Sequence, residues 1–197
     1  MVTGALTGGL IRGTMDALKG HNFWNGTHIE EIAAGSAAFS ETNYDFETAD
    51  YILKKRVLEH YDLQEKKWGL RRITTRPGKG YQVNNKGVYL RKDGSMVGGY
   101  VRQSSSGISD MHISPAYAVN PDIVHFKAIV GHEVIHVYHN FTYGFSRSVP
   151  YTERTGYRHT VDTYMQGGPR YYNEALRFQK IALDNDYWYG YRYPSPF

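Results

Sequence analysis

Residues 130–139 read VGHEVIHVYH: three histidines and one glutamate in a stretch that is otherwise almost wholly apolar. Such a run belongs in a core, yet titratable groups are costly to bury without partners. Helical periodicity reconciles the two. Positions i and i+4 lie on one face, a turn apart. His132 and His136 therefore share a stripe, while Ile129, Val130, Val134, Ile135 and Val137 bury the helix. A chain containing this segment must cover one helix on most sides and leave a narrow stripe of it bordering a cleft. Upstream, Asn120 suits the N-cap, Pro121 the first helical position and Asp122 the positive end of the helix dipole, which predicts a helix over 120–141.

The flanking sequence supplies the partners for that helix. Residues 46–67 carry an apolar stripe of Ile52, Leu53, Val57, Leu58 and Tyr61, which predicts another helix. Between 70 and 119 the period changes and turn signals recur: Pro77-Gly78, the Asn-Asn and Gly87 turn, and Asp93-Gly94, a strong hairpin signal. Three to five short strands are expected there, ending in the extended piece SDMHISPAYAV. Two more helices fit 149–165 and 170–184. This order predicts an α+β fold: an N-terminal helix, a small and mostly antiparallel sheet, the histidine helix and C-terminal helices. Residues 1–44, rich in Gly, Ala and Ser, read as a connecting segment, and 45–197 as the folded domain.

Composition narrows the chemistry. There is no cysteine, so disulfides and thiolate metal sites are excluded. Net charge is +4, but no Lys/Arg block marks a nucleic-acid footprint, so no nucleic acid is expected as a partner. No apolar run reaches the length of a membrane span. The start, MVTGALTGGLIRG, lacks the features of a signal peptide and reads like the interior of a longer protein.

His132, Glu133 and His136 form an H-E-x-x-H motif. Two imidazoles one turn apart can converge on a zinc ion, and Glu133, rotated by about 100°, can act as general base and acid towards a water there. One zinc per chain is expected, held by a third protein ligand with one position left open. His139 and His125 lie too far along the helix axis, since seven residues rise by roughly 10 Å. The better candidate is Glu153, with Gly156 allowing close approach of its helix; Glu174 is the reserve.

With Glu153 in place the chain resembles a zincin metallopeptidase of the gluzincin type, H-E-x-x-H plus a downstream Glu. The metzincin pattern fails, because positions 139 and 142 are His and Thr. The chain also departs from thermolysin-like enzymes: four residues after the Glu stands Tyr157 in place of Asp. The resemblance implies a zincin-like fold, a protein or peptide substrate and an edge strand, SDMHISPAYAV, beside the cleft, with His112 near it. Asp162 or another carboxylate would orient a ligand histidine. An oxyanion donor is also required; Tyr157 and His159 are the named candidates, with Tyr164, Tyr171 and Tyr172 open. The front, GALTGGLIRGTMDALKGHNFWNG, resembles the junction before C-terminal toxin domains of Rhs-type polymorphic toxins, although no Asp-Pro-x-Gly motif is present. That likeness implies a secreted or delivered antibacterial effector, with a cognate immunity protein covering the cleft. The rival readings are a non-catalytic zinc-stabilised binding module and a basic His-dependent nuclease toxin. Glu133 argues against the module, and the clustered motif argues against the nuclease.

Overall fold

Asp45 starts the first helix, α1 (Phe46–Tyr61), by accepting from the N–H groups of Glu47 and Thr48. The helix stops at Tyr61, short of the expected 67, because Asp62 turns left-handed (φ 47°). The computed structural model describes residues 39–40, 43–104, 106–144 and 149–197, so the expected connecting segment over 1–44 lies almost wholly outside the described residues. Before α1 the described chain forms a small antiparallel ribbon, β1 (Phe39–Ser40) and β2 (Asn43–Tyr44).

Six strands, rather than three to five, occupy 70–119: β3 (Leu70–Thr74), β4 (Tyr81–Val83), β5 (Tyr89–Arg91), β6 (Met96–Val97), β7 (Gly99–Gln103) and β8 (Ser109–Ile113). The expected Asp93-Gly94 turn separates β5 from β6, with Gly94 at φ 80°. Strands β4, β5 and β6 form one antiparallel sheet. The other is ordered β3-β8-β7, with β8 parallel to β3 and antiparallel to β7. The second half of SDMHISPAYAV is not extended; it is the short helix α2 (Pro115–Ala118), with Pro at its first position.

Three helices complete the chain: α3 (Ile123–Tyr143), α4 (Val149–Gln166) and α5 (Tyr172–Asp184). The architecture is thus α+β, with five helices and two small sheets besides the ribbon among the described residues. The N-cap of α3 is Asp122, not Asn120: its carboxylate accepts from the N–H groups of Val124 and His125. Asn120, two residues before that cap, instead accepts from the Asp122 N–H at 2.9 Å. No helix among the described residues is long and apolar enough to cross a membrane.

α3 is the central beam. The β3-β8-β7 sheet and α1 cover one side of it, and α4 covers another. Phe126, Val130, Val134 and Val137 are fully buried with Met111 and Ile113 of β8 and Leu53 and Val57 of α1. Burying each such side chain contributes roughly 1.5–3 kcal/mol, so α3 is held by packing without any metal. α4 runs antiparallel to it: Tyr164 meets His125, Thr160 meets Ala128 and Glu153 meets His136. α5 packs against α4 through Ala175 and Phe178.

Candidate metal centre

The α3–α4 contact brings the expected ligands together. Ligand atoms of His132, His136 and Glu153 all lie within 4.8 Å of one another. His132 Nε2 is 3.4 Å from Glu153 Oε2, and His136 Nε2 is 3.4 Å from Glu153 Oε1. A charge-assisted hydrogen bond would draw such atoms to about 2.7–2.9 Å. Ligands bonded at ~2.0–2.1 Å to one tetrahedral zinc would instead stand roughly 3.3 Å apart. The spacing and the two-nitrogen, one-oxygen donor set could hold a metal ion.

Glycine makes this approach possible. A Cβ at Gly156 would come within 2.7 Å of His132 Nε2, so a larger residue would displace that ring. Four residues on, Thr160 fixes the ring from behind. Its hydroxyl donates to the Ala128 carbonyl at 3.1 Å and stands 3.3 Å from His132 Nδ1. With its own proton so placed, the hydroxyl is left to accept, which favours the proton on Nδ1 and leaves Nε2 free to ligate. Asp162, the expected carboxylate orienter, is exposed on α4 and does not reach the site. Thr160 was legible only as the next member of the 153, 156, 160 stripe on α4.

Glu133 is buried beside the ligands at 8% exposure. Burial pushes its carboxyl up to about 7; His132 pulls against that rise and Glu153 adds to it. Glu153 behaves in the opposite way. Burial would raise it, but His136 and His132 outweigh burial and hold it down at about 2. Two neighbouring carboxyls are thus driven apart, Glu153 held as the anion and Glu133 pushed towards the neutral form.

The site opens into a cavity of about 740 Å³. Its floor is α3, and its walls include β7, the β5–β6 hairpin, α4 and α5. The strand at the cleft is β7; the expected one, Ser109–Ile113, lies in the sheet centre. β8 tolerates that central place because its polar residues are satisfied: Asp110 by Arg71, His112 by the Arg76 carbonyl at 2.9 Å. His112 is buried and stacked on Tyr100 (4.6 Å between centroids), not an exposed neighbour of the cleft. On β7, the Gly98 carbonyl accepts from the Ser114 N–H. The alternation of antiparallel pairs then directs the backbone groups of Gly99, Val101 and Gln103 away from β8, along the free edge.

Of the candidate oxyanion donors, Tyr157 lines the cleft. Its ring meets His132 edge-on at 5.0 Å and stacks on Tyr187 at 5.9 Å. Burial, aided by Glu153, raises its phenol well above the ordinary value, so it remains a donor. His159 is not among the cleft residues. Its Nε2 faces the Lys127 carbonyl at 3.3 Å and its ring lies against Phe197, where burial lowers its pKa to about 4. The physical reason is the helical turn: two residues past Tyr157, the side chain points about 200° round α4. Tyr164 pairs with His125, Tyr171 pairs with Asp122, and Tyr172 is exposed; none of the three lines the cavity. His139 is buried against the Pro194 carbonyl at 2.8 Å, off the site as expected.

Glu174, the reserve ligand, is buried near Arg177 (3.7 Å) rather than at the histidines. Burial pushes its carboxyl up to about 7, against the pull of Arg177. Between an ordinary value of 4.5 and about 7, the unfolded chain is ionised at this position while the folded chain keeps the proton. Stability from this group is therefore fully present below pH 4.5 and lost as pH rises through 7, by up to about 3 kcal/mol. Glu174→Gln should remove that part of the decline. Denaturant titrations of the metal-free protein from pH 4.5 to 8 measure it; equal pH slopes in wild type and variant would refute the assignment.

No protein-family model, curated protein or solved structure matches the chain at a significant level.

Proposed function

We propose that the chain is a zinc-dependent endopeptidase domain acting as a delivered antibacterial effector. One observation carries this reading: His132, His136 and Glu153 converge within 4.8 Å, beside a buried Glu133 and a cleft bordered by a free strand edge. Zinc held by those three residues supplies Lewis acidity, acidifying water and polarising a carbonyl. Glu133, buried beside the three ligands and facing the cleft, would take a proton from water and return it to a leaving amine. Tyr157 offers a phenol proton to the developing oxyanion. The free groups of Gly99, Val101 and Gln103 suit an extended peptide that adds to β7 as a further strand. The likeness of the Gly-rich front to toxin junctions supports delivery into a target cell, and an immunity protein would act by covering the cleft.

The test uses zinc-loaded protein and a bacterial lysate. New protein N-termini should appear within minutes to hours and should be absent after chelation. The same chain expressed inside a sensitive bacterium should slow growth. A lysate whose N-termini are unchanged at full zinc loading would rule out the peptidase.

A further inference from the structure

Two cations in the cleft have no role in the chemistry above. Arg91 ends β5 and lies on the cavity wall formed by the β5–β6 hairpin, and Arg102 lies on β7. Both are exposed. Neither has a carboxylate within ion-pair distance among the described residues, whereas the other cationic side chains of the cavity do. Lys180 pairs with Asp184 at 3.0 Å, and Arg177 with Glu174 at 3.7 Å.

Arg91 is also firmly presented. Its N–H donates to the Ser95 carbonyl at 2.9 Å, and its carbonyl accepts from the Gly94 N–H at 3.0 Å. Asp93 closes the turn by accepting from the Ser95 N–H at 2.9 Å and the Ser95 hydroxyl at 2.6 Å. The guanidinium thus sits at the root of a closed hairpin rather than on a loose loop. Arg91 lines the same cavity as Glu133, Glu153 and Tyr157.

We infer that Arg91 selects peptides that carry an Asp or Glu side chain within a few residues of the bond attacked. This specificity rests on the peptidase reading. The cleft offers a planar donor fork, which matches a carboxylate, beside a free β edge, which matches a peptide backbone. The anionic members of the site are already engaged: Glu153 with the histidines, Glu133 beneath Gly99, Asp184 with Lys180. Glu133 packs against Gly99, where an added Cβ would lie 3.0 Å from its Cγ, and makes no ion pair with Arg91 among the described residues. A nucleic-acid strand fits less well. Two open cations do not make a phosphate track, and Glu133, Glu153 and Asp184 would repel one.

The experiment compares matched peptides differing only in Glu, Gln or Lys at one position, together with a single-stranded oligonucleotide. Hydrolysis is followed with the zinc-loaded wild type, Arg91→Gln and Arg91→Glu. Equilibrium binding is followed with zinc-loaded Glu133→Gln, alone and combined with Arg91→Gln or Arg91→Glu. The Glu peptide should bind and be cleaved about tenfold better than the Gln peptide, as expected for one charge-assisted contact. Arg91→Gln should bring that ratio to about one, Arg91→Glu should favour the Lys peptide, and salt should weaken the preference. Cleavage without an acidic preference, or a preference that survives Arg91→Gln, overturns the inference and leaves the peptidase standing. Equal loss of kcat on all peptides in Arg91→Gln also overturns it, because the arginine would then serve the oxyanion. Acidic peptides bound through Arg91 but never cleaved would uphold the recognition and remove the peptidase. Tighter binding of the oligonucleotide than of the Glu peptide overturns it as well.

Discussion

Glu133→Gln is expected to lower peptide hydrolysis by roughly a thousandfold or more while leaving one zinc per chain. The argument rests on position. Glu133 lies one residue past His132, rotated off the ligand stripe, and it is not a member of the converging trio. Its loss therefore costs no metal bond. The carboxamide has the same shape, so it fills the space beneath Gly99 without a clash. What disappears is the proton transfer, and positioned acid–base groups contribute about 10²–10⁴ in rate. Burial holds the Glu133 carboxyl at about 7 in the metal-free site, and zinc would add positive charge beside it and lower it, so the carboxylate form would be present at neutral pH. Zinc analysis of the purified variant, beside its residual rate, decides the matter. A variant that keeps near wild-type activity would remove Glu133 as the base, and one that loses zinc would make it a ligand.

Glu153→Ala should behave in the opposite way, with zinc affinity falling by at least about 100-fold and activity falling with it, while the fold persists. Removing even a group that merely supports a ligand costs about 10–100-fold in affinity, so removing a ligand should cost no less. The fold persists because α4 is held independently by Val161 and Tyr164 in the core and by Thr160 against Ala128. Glu174→Ala is the control: its side chain pairs with Arg177 and lies outside the ligand cluster, so zinc should stay. Zinc content and circular dichroism of both variants measure this. Retention of zinc by Glu153→Ala with loss by Glu174→Ala would reverse the assignment of the third ligand.

Much of this was legible in the chain itself, and the reason is locality. His132 and His136 meet on one face because helical geometry places i and i+4 together, whatever surrounds them. Glu153 and Gly156 were legible for a related reason: a short connection returns α4 along α3, so the partner stripe had few places to lie. The turn at Asp93-Gly94, the helix order and the α+β class followed from periodicity and turn chemistry in the same way.

Other features depended on contacts between distant segments. Asp122 rather than Asn120 caps α3, since the backbone enters the helix only after Pro121. The zincin resemblance implied an edge strand at SDMHISPAYAV, yet β8 is central, its Asp110 and His112 satisfied by Arg71 and the Arg76 carbonyl from the β3 side. Tyr157 and His159 looked equivalent as oxyanion donors. Only the packing of α4 on α3 turns the tyrosine towards the cleft and the histidine towards Lys127. Arg91 carried no signal at all, because a surface arginine beside a hairpin turn reads as solvated until the hairpin is folded against the cleft. Short segments carried the H-E-x-x-H motif, the helices that hold it and the exclusion of thiolate chemistry, because each is a local property. Which strand borders the cleft, which side chains reach it and how burial at Glu133 and the histidines at Glu153 drive the two carboxyls apart came from packing between segments far apart in the chain.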